Sequence, residues 1–280
     1  MKVLFKYTYI FFVAMALCIT ANAQDLVILH TNDVHNQITP QITGKNKGLS
    51  GYERREAYIK EVVKEHGRKN VLLLDGGDFS MGSSYMAVYQ GYVAIELFNV
   101  LGYDAVCLGN HELDKNQEEL ASRISNADFA MLCANYDFTK SPLNGLVKPY
   151  TIVKKAGKRI GIIGIMLDIS FLAMSREHKN LSYTNPIDVL NTLAKELKNE
   201  HKCDLVIALS HCGLYTEIKG KFIDDEYIAT HVENVDIIVG GHSHTNMENM
   251  LTVKDKQGKD VIIVHDGEKG EYIGRLDLYW

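Results

Sequence analysis

The stretch Leu108-Gly-Asn-His-Glu-Leu-Asp114 (LGNHELD) follows directly on Asp104-Ala-Val-Cys107. The residues before it read as the tail of a buried strand. Within seven positions the chain then sets down a glycine, an amide, an imidazole and two acids. Polar groups packed so densely at a strand end are costly to bury without a task. Working outward, the same arrangement recurs four times. Asp33 and His35 follow Leu26–His30, Asp78 follows Val71–Leu74, His211 follows Leu205–Leu209, and His242 and His244 follow Ile237–Val239. In α/β sheets ligands gather beyond the carboxyl ends of the strands. Five such ends can therefore share one cleft.

The runs themselves indicate the class. Most are short and apolar on both faces, as strands in covered parallel sheets are. Further strand-like runs are Phe129–Cys133, Arg159–Met166, Val261–Val264 and Tyr272–Tyr279, the last alternating at period two. Helical patterns fill several gaps: Tyr52–Glu65, Val88–Leu101 and Ile187–Leu197, the last opened by Asn185-Pro186, a helix-start signal. Alternation of this kind predicts an α/β fold.

The donor set is Asp33, His35, Asp78, Asn110, His211, His242 and His244. Nitrogen and oxygen donors with no required thiolate suit two divalent ions such as Zn, Mn, Fe or Co better than a structural zinc site. Seven side chains exceed the needs of one ion, and Asp78 could bridge a pair. Taken singly, each piece has a bland explanation. An Asp-x-His at a strand end is usually a turn or cap, and His211 alone could be a hydrogen-bonded core residue. The ordered set, each member after a strand, carries the argument. By default His30, Asn36, Asp75, Glu112 and Cys212 are read as supporting structure.

Composition bounds the rest. The 280 residues are 46% hydrophobic and 23% charged, with a formal net charge of −5. No basic patch stands out, which argues against polymeric nucleic acid as a partner. Lys2 and Lys6 precede an uncharged apolar run, Tyr7–Thr20, and then Ala21-Asn-Ala23. That reads as a signal peptide over residues 1–23, too short to span a membrane, with the catalytic domain over 24–280. Export follows, with the bacterial periplasm as the favoured compartment over soluble secretion or a lipid anchor, and with no stable membrane insertion. Cys107, Cys133, Cys203 and Cys212 form no CxxC pair and lie mostly within apolar runs, so buried free thiols are expected.

Together Leu29-His-Thr-Asn-Asp-Val-His35, Gly77-Asp78, Gly109-Asn-His-Glu-Leu-Asp114, Ser210-His211 and Gly241-His-Ser-His244 resemble the calcineurin-like metallophosphoesterases, within them the 5′-nucleotidase / UDP-sugar hydrolase family. The resemblance runs through Gly274-Arg-Leu-Asp277. It implies a four-layer fold, two β-sheets sandwiched between helices. It also implies one metal on Asp33, His35, Asp78 and His244, and another on Asp78, Asn110, His211 and His242. Relatives often carry Gln at the position of His244. By the same resemblance His111 faces the phosphate as a catalytic group and Asp114 orients its ring. Family members usually carry a C-terminal nucleoside-binding domain as well. Here the expectation is the catalytic domain only, with specificity supplied by a separate nucleotide-binding polypeptide or relaxed toward other phosphate esters.

The implied function is an exported two-metal phosphomonoesterase acting on small phosphate esters, nucleotides first. Two alternatives stand beside it. One is a phosphodiesterase or pyrophosphatase acting on cyclic nucleotides or nucleotide sugars. The other is a metal-binding subunit that docks a partner chain, which the His111/Asp114 pair argues against. Phe79, Tyr85, Asp168 and Tyr215 are possible substrate contacts, with packing the commoner fate of the aromatics.

Overall fold

The computed structural model describes residues 26–172, 180–214 and 223–280. The leader reading over 1–23 and the suggestion for Tyr215 fall outside them. In chain order the elements are β1 (Leu26–Thr31), α1 (Tyr52–His66), β2 (Val71–Asp75), α2 (Ser84–Tyr89), α3 (Tyr92–Leu101), β3 (Ala105–Cys107), α4 (Gln117–Ile124) and β4 (Ala130–Leu132). There follow β5 (Tyr136–Asp137), β6 (Val147–Lys148), β7 (Tyr150–Lys155), β8 (Lys158–Met166), β9 (Ser182–Tyr183), α5 (Pro186–Asn199) and β10 (Leu205–His211). The last are α6 (Asp225–His231), β11 (Ile237–Val239), β12 (Leu251–Lys254), β13 (Asp260–Val264) and β14 (Gly274–Leu278).

The strands form two six-stranded sheets, in the orders β14-β1-β2-β3-β4-β6 and β12-β13-β11-β10-β8-β7, plus a small β5-β9 pair. Within each large sheet the inner strands run parallel. The antiparallel pairings lie at edges: β14 on β1, β12 on β13 and β7 on β8. The period-two run near the carboxyl end is thus an edge strand, as its alternation predicts.

Strand periodicity sorts the apolar residues into three layers. Val27, Leu29 and Leu73 face α1 and α3, packing with Ile59, Val62 and Phe98. Leu26, Ile28, Leu72 and Leu74 point the other way and meet Ile160, Ile162, Ile207 and Val239 of the second sheet. That sheet's outward residues, Ile163, Val206, Ala208 and Ile238, pack with Leu190, Ala194 and Leu197 of α5 and Ile228 of α6. Helix, sheet, sheet, helix is the expected four-layer sandwich. Because both faces of both sheets are covered, the central strands read as unbroken apolar runs rather than as alternations.

One helix differs from its sequence reading. Val88–Leu101 spans two helices, broken where Gln90 and Gly91 both take left-handed φ values, 51° and 87°. Cys107, Cys133, Cys203 and Cys212 are buried and free, as expected. Among the described residues no helix is long and apolar enough to cross a membrane.

Candidate metal centre

β1, β2 and β3 of the first sheet and β10 and β11 of the second end at one place. Two bonds stitch the sheets there: the His242 N–H donates to Asp33 Oδ2 at 2.8 Å, and His211 Nδ1 lies 2.7 Å from the Gly76 carbonyl. The side chains singled out in the sequence converge on this seam in two groups. Ligand-type atoms of Asp33, His35 and His244 lie within 4.8 Å of one another, and so do those of Asp78, His211 and His242. The groups adjoin through backbone bonds from His35 N to the Asp78 carbonyl (3.0 Å) and from Asp33 N to the Gly77 carbonyl (2.8 Å). Asn110 opens a 3-10 turn, Asn110–Leu113, just past β3. Residues on both sides of it touch Asp78: the His111 N–H donates to Asp78 Oδ1 at 2.9 Å, and a Cβ on Gly109 would fall 2.2 Å from the same oxygen.

Local backbone conformation makes the convergence possible. Asp33, His35, Asp78, His242 and His244 all have positive φ, between 44° and 75°. Non-glycine residues seldom adopt this region, and each instance costs of order 1 kcal/mol or more. Five such residues in one cleft mark a place where the surrounding structure dictates the backbone.

Do these groups suit divalent ions? His35 Nδ1 lies 3.3 Å from the Ser80 carbonyl, as His211 Nδ1 does from that of Gly76 at 2.7 Å. Each Nδ1–H donates to backbone, which fixes the ring and leaves Nε2 as the nitrogen that could ligate an ion. His35 Nε2 and His244 Nε2 stand 3.1 Å apart, and His211 Nε2 is 3.0 Å from Asp78 Oδ2. Buried Asp33 Oδ1 and His211 Nε2 have no well-formed hydrogen bond. Burial works against charge on His211, yet the Asp78 carboxylate raises its pKa to about 10. The site thus calls for positive charge at that nitrogen. Burial and then the charge of His211 hold His242 down at about 4, so it stays neutral, the form that binds metal. The donor set fits two divalent ions.

His111 stands beside the first group, its ring 5.5 Å from that of His35 and edge-on to it. Its Nδ1 is bonded to Asp114 Oδ2 at 2.6 Å. That bond chiefly, helped by Asp78 and opposed by partial burial, lifts its pKa to about 9.

Residues 26–246 match the family model of the calcineurin-like phosphoesterases. The chain belongs to this family. Calcineurin-like phosphoesterases are metal-dependent phosphoester hydrolases, in keeping with the two ligand groups. The 5′-nucleotidase of Rattus norvegicus is 32% identical over 284 residues, 92% of this chain and 47% of that protein. The snake venom 5′-nucleotidase of Gloydius brevicauda is 31% identical over 94% of this chain and 46% of its own length. Among solved structures, the 5′-nucleotidase precursor from Thermus thermophilus superposes with a TM-score of 0.82 at 31% identity, covering 91% of this chain and 51% of that one. The phosphoesterase chain spans about half the length of these relatives.

Glu112 has the supporting part its default reading gave it. Fully buried, its carboxylate accepts N–H bonds from Asp78 (3.0 Å), Ser80 (2.8 Å) and Gly109 (2.7 Å), tying the β2 loop to the β3 loop. Its position directly after His111 was the only signal in the sequence. Of the possible substrate contacts, Phe79 is wholly buried against Phe98, and Asp168 caps a 3-10 turn by accepting from Ser170 N. Tyr85 stacks on Tyr89 along α2.

Proposed function

We propose that this phosphoesterase is an exported, two-metal phosphomonoesterase whose substrates are nucleotides. The observation that carries the reading is the pair of ligand groups at one seam with the His111–Asp114 pair against it. Asp33, His35, Asp78 and His244 would hold one ion, and Asp78, Asn110, His211 and His242 the other. Ions bound there supply charge neutralisation for the phosphate and a more acidic water. The protein's own residues do the remainder. Glu112 fixes the two loops that carry Asp78 and His111. Asp114 holds the His111 ring by Nδ1, which leaves Nε2 to steady the charge that develops on the phosphoryl oxygens and to protonate the leaving oxygen. Similarity to 5′-nucleotidases supports nucleotides as the substrate class. The basic, apolar and Ala-Asn-Ala succession over residues 1–23 supports export.

The test is turnover by the chain stripped of metal and reloaded with Mn, Zn or Co, on AMP, UDP-glucose, a 2′,3′-cyclic nucleotide and an aryl phosphate. Metal-restored hydrolysis with AMP preferred is the expected result. Preference for UDP-glucose or the cyclic ester would replace monoester chemistry with diester chemistry. No turnover with any metal would reject the enzyme reading. Export is tested by amino-terminal sequencing of the secreted protein, which should begin at Gln24.

A further inference from the structure

Beside the metal centre lies a buried chain of side chains that the proposed chemistry does not use. Ser210 Oγ donates to Asp225 Oδ1 at 2.5 Å, and His265 Nε2 donates to Asp225 Oδ2 at 2.8 Å. Ser210 and Asp225 are wholly buried and His265 is nearly so. The three come from separate elements: the end of β10, the start of α6 and the residue after β13. Both Asp225 oxygens and the Ser210 hydroxyl are bonded, which stiffens the group, while His265 Nδ1 has no hydrogen-bond partner among the described residues.

It grips the ligand-bearing strands at two points. On β10, Ser210 Oγ also accepts the Cys212 N–H at 3.2 Å, and the Asp225 N–H donates to the Gly213 carbonyl at 2.8 Å. His211 is therefore held from both sides. Beyond β11, Gly240 lies directly against the His265–Asp225 bond. A Cβ there would fall 2.1 Å from His265 Nε2 and 2.2 Å from Asp225 Oδ2, so only glycine fits. The next residue, Gly241, backs onto the ligands themselves, its Cβ position 3.0 Å from His211 Nδ1 and 3.1 Å from Asp33 Oδ2. The Gly240-Gly241 segment is thus clamped between the buried pair and the cleft, and it leads straight into His242.

From this geometry we infer that Asp225, His265 and Ser210 are positioning residues that set His211 and His242 for the ion shared with Asp78. The inference rests on the two-ion reading above. Of the residues that would serve the other ion, Asp33 and His35 follow β1 in the neighbouring sheet, whereas His244 lies two residues past His242 on the clamped segment. The expected signature is therefore selective. Partners that orient metal ligands are worth about 10–100-fold in affinity, and here the loss should fall more heavily on the ion held by both His211 and His242.

The experiment is equilibrium dialysis of the metal-stripped chain against graded Mn and Co, with bound metal counted directly. Asp225→Asn and His265→Leu should raise one of the two dissociation constants by about 10–100-fold and shift the other distinctly less. Ser210→Ala, which removes a single hydroxyl, should act in the same direction more weakly. His265→Gln, whose amide can still donate to Asp225, should recover most of the affinity. A purely structural role would lower the melting temperature of every variant and weaken both ions equally, and that pattern would overturn the inference. So would two unchanged constants. A wild-type chain that binds fewer than two ions would defeat the two-ion reading itself, which is a separate result.

Discussion

His111 and Glu112 are neighbours with separable tasks. His111→Asn keeps a polar side chain of similar reach but removes the proton carrier. Positioned acid–base groups contribute about 10²–10⁴-fold, so kcat should fall by that much while bound metal, measured on the same sample, stays at the wild-type count. Near-normal turnover would remove His111 from the chemistry. Glu112→Gln acts on the scaffold. Its carboxylate accepts three backbone N–H bonds, and an amide would turn its own N–H groups toward one of those donors. Leaving a buried donor unmatched costs about 1–3 kcal/mol, readable as a lower urea midpoint. An unshifted midpoint would show that the loops hold together without it.

At the level of elements, α5 begins with Asn185 Oδ1 accepting the Ile187 N–H at 2.9 Å and Pro186 in the first turn. Asn185→Ala should cost about 1 kcal/mol of stability and leave kcat/KM alone, since α5 packs on the far side of the second sheet. A change in turnover would mean that α5 reaches the site. Both the cap and the helix were legible in the sequence, as were the long apolar strands, because burial on two faces leaves an unmistakable run. The pieces that were not legible lack that signature. β12 alternates half-buried and exposed residues on an edge, and β5, β6 and β9 are two residues long. α4 and α6 offer about two turns of pattern each. The break in Val88–Leu101 is a backbone event at Gln90-Gly91 that the apolar periodicity of the segment conceals. Within the site, the candidate ligands announced themselves by following strands. Asp225 and His265 did not, because their meaning lies in partners up to 40 residues away.

Across the whole molecule, metal and acid should govern stability. Each ion present at 100 times its dissociation constant adds about 2.7 kcal/mol to the folded state. At about 2–4 °C per kcal/mol for a chain of this size, stripping both should lower the melting temperature by about 10–20 °C. A midpoint indifferent to chelator would argue against tightly held ions. Acid acts through His30, which burial and then His265 push down to about 3 from the usual 6.5. The unfolded chain takes up that proton first as pH falls. Stability is therefore intact above 6.5 and drains away between 6.5 and about 3, with about 2 kcal/mol lost at pH 5. Urea titrations of the metal-free protein at pH 7 and pH 5 measure the loss, and His30→Gln should shrink it. The left-handed backbone at Asp33, His35, Asp78, His242 and His244 carries a consequence for anyone evolving this enzyme. At those positions glycine or asparagine relieves strain, and the same exchange removes a donor that the proposed two-ion chemistry needs. A library screened for heat resistance alone will enrich robust, inactive clones whose changes concentrate in the cleft. Durability has to be sought in the helices and edge strands instead, with catalysis kept under selection throughout.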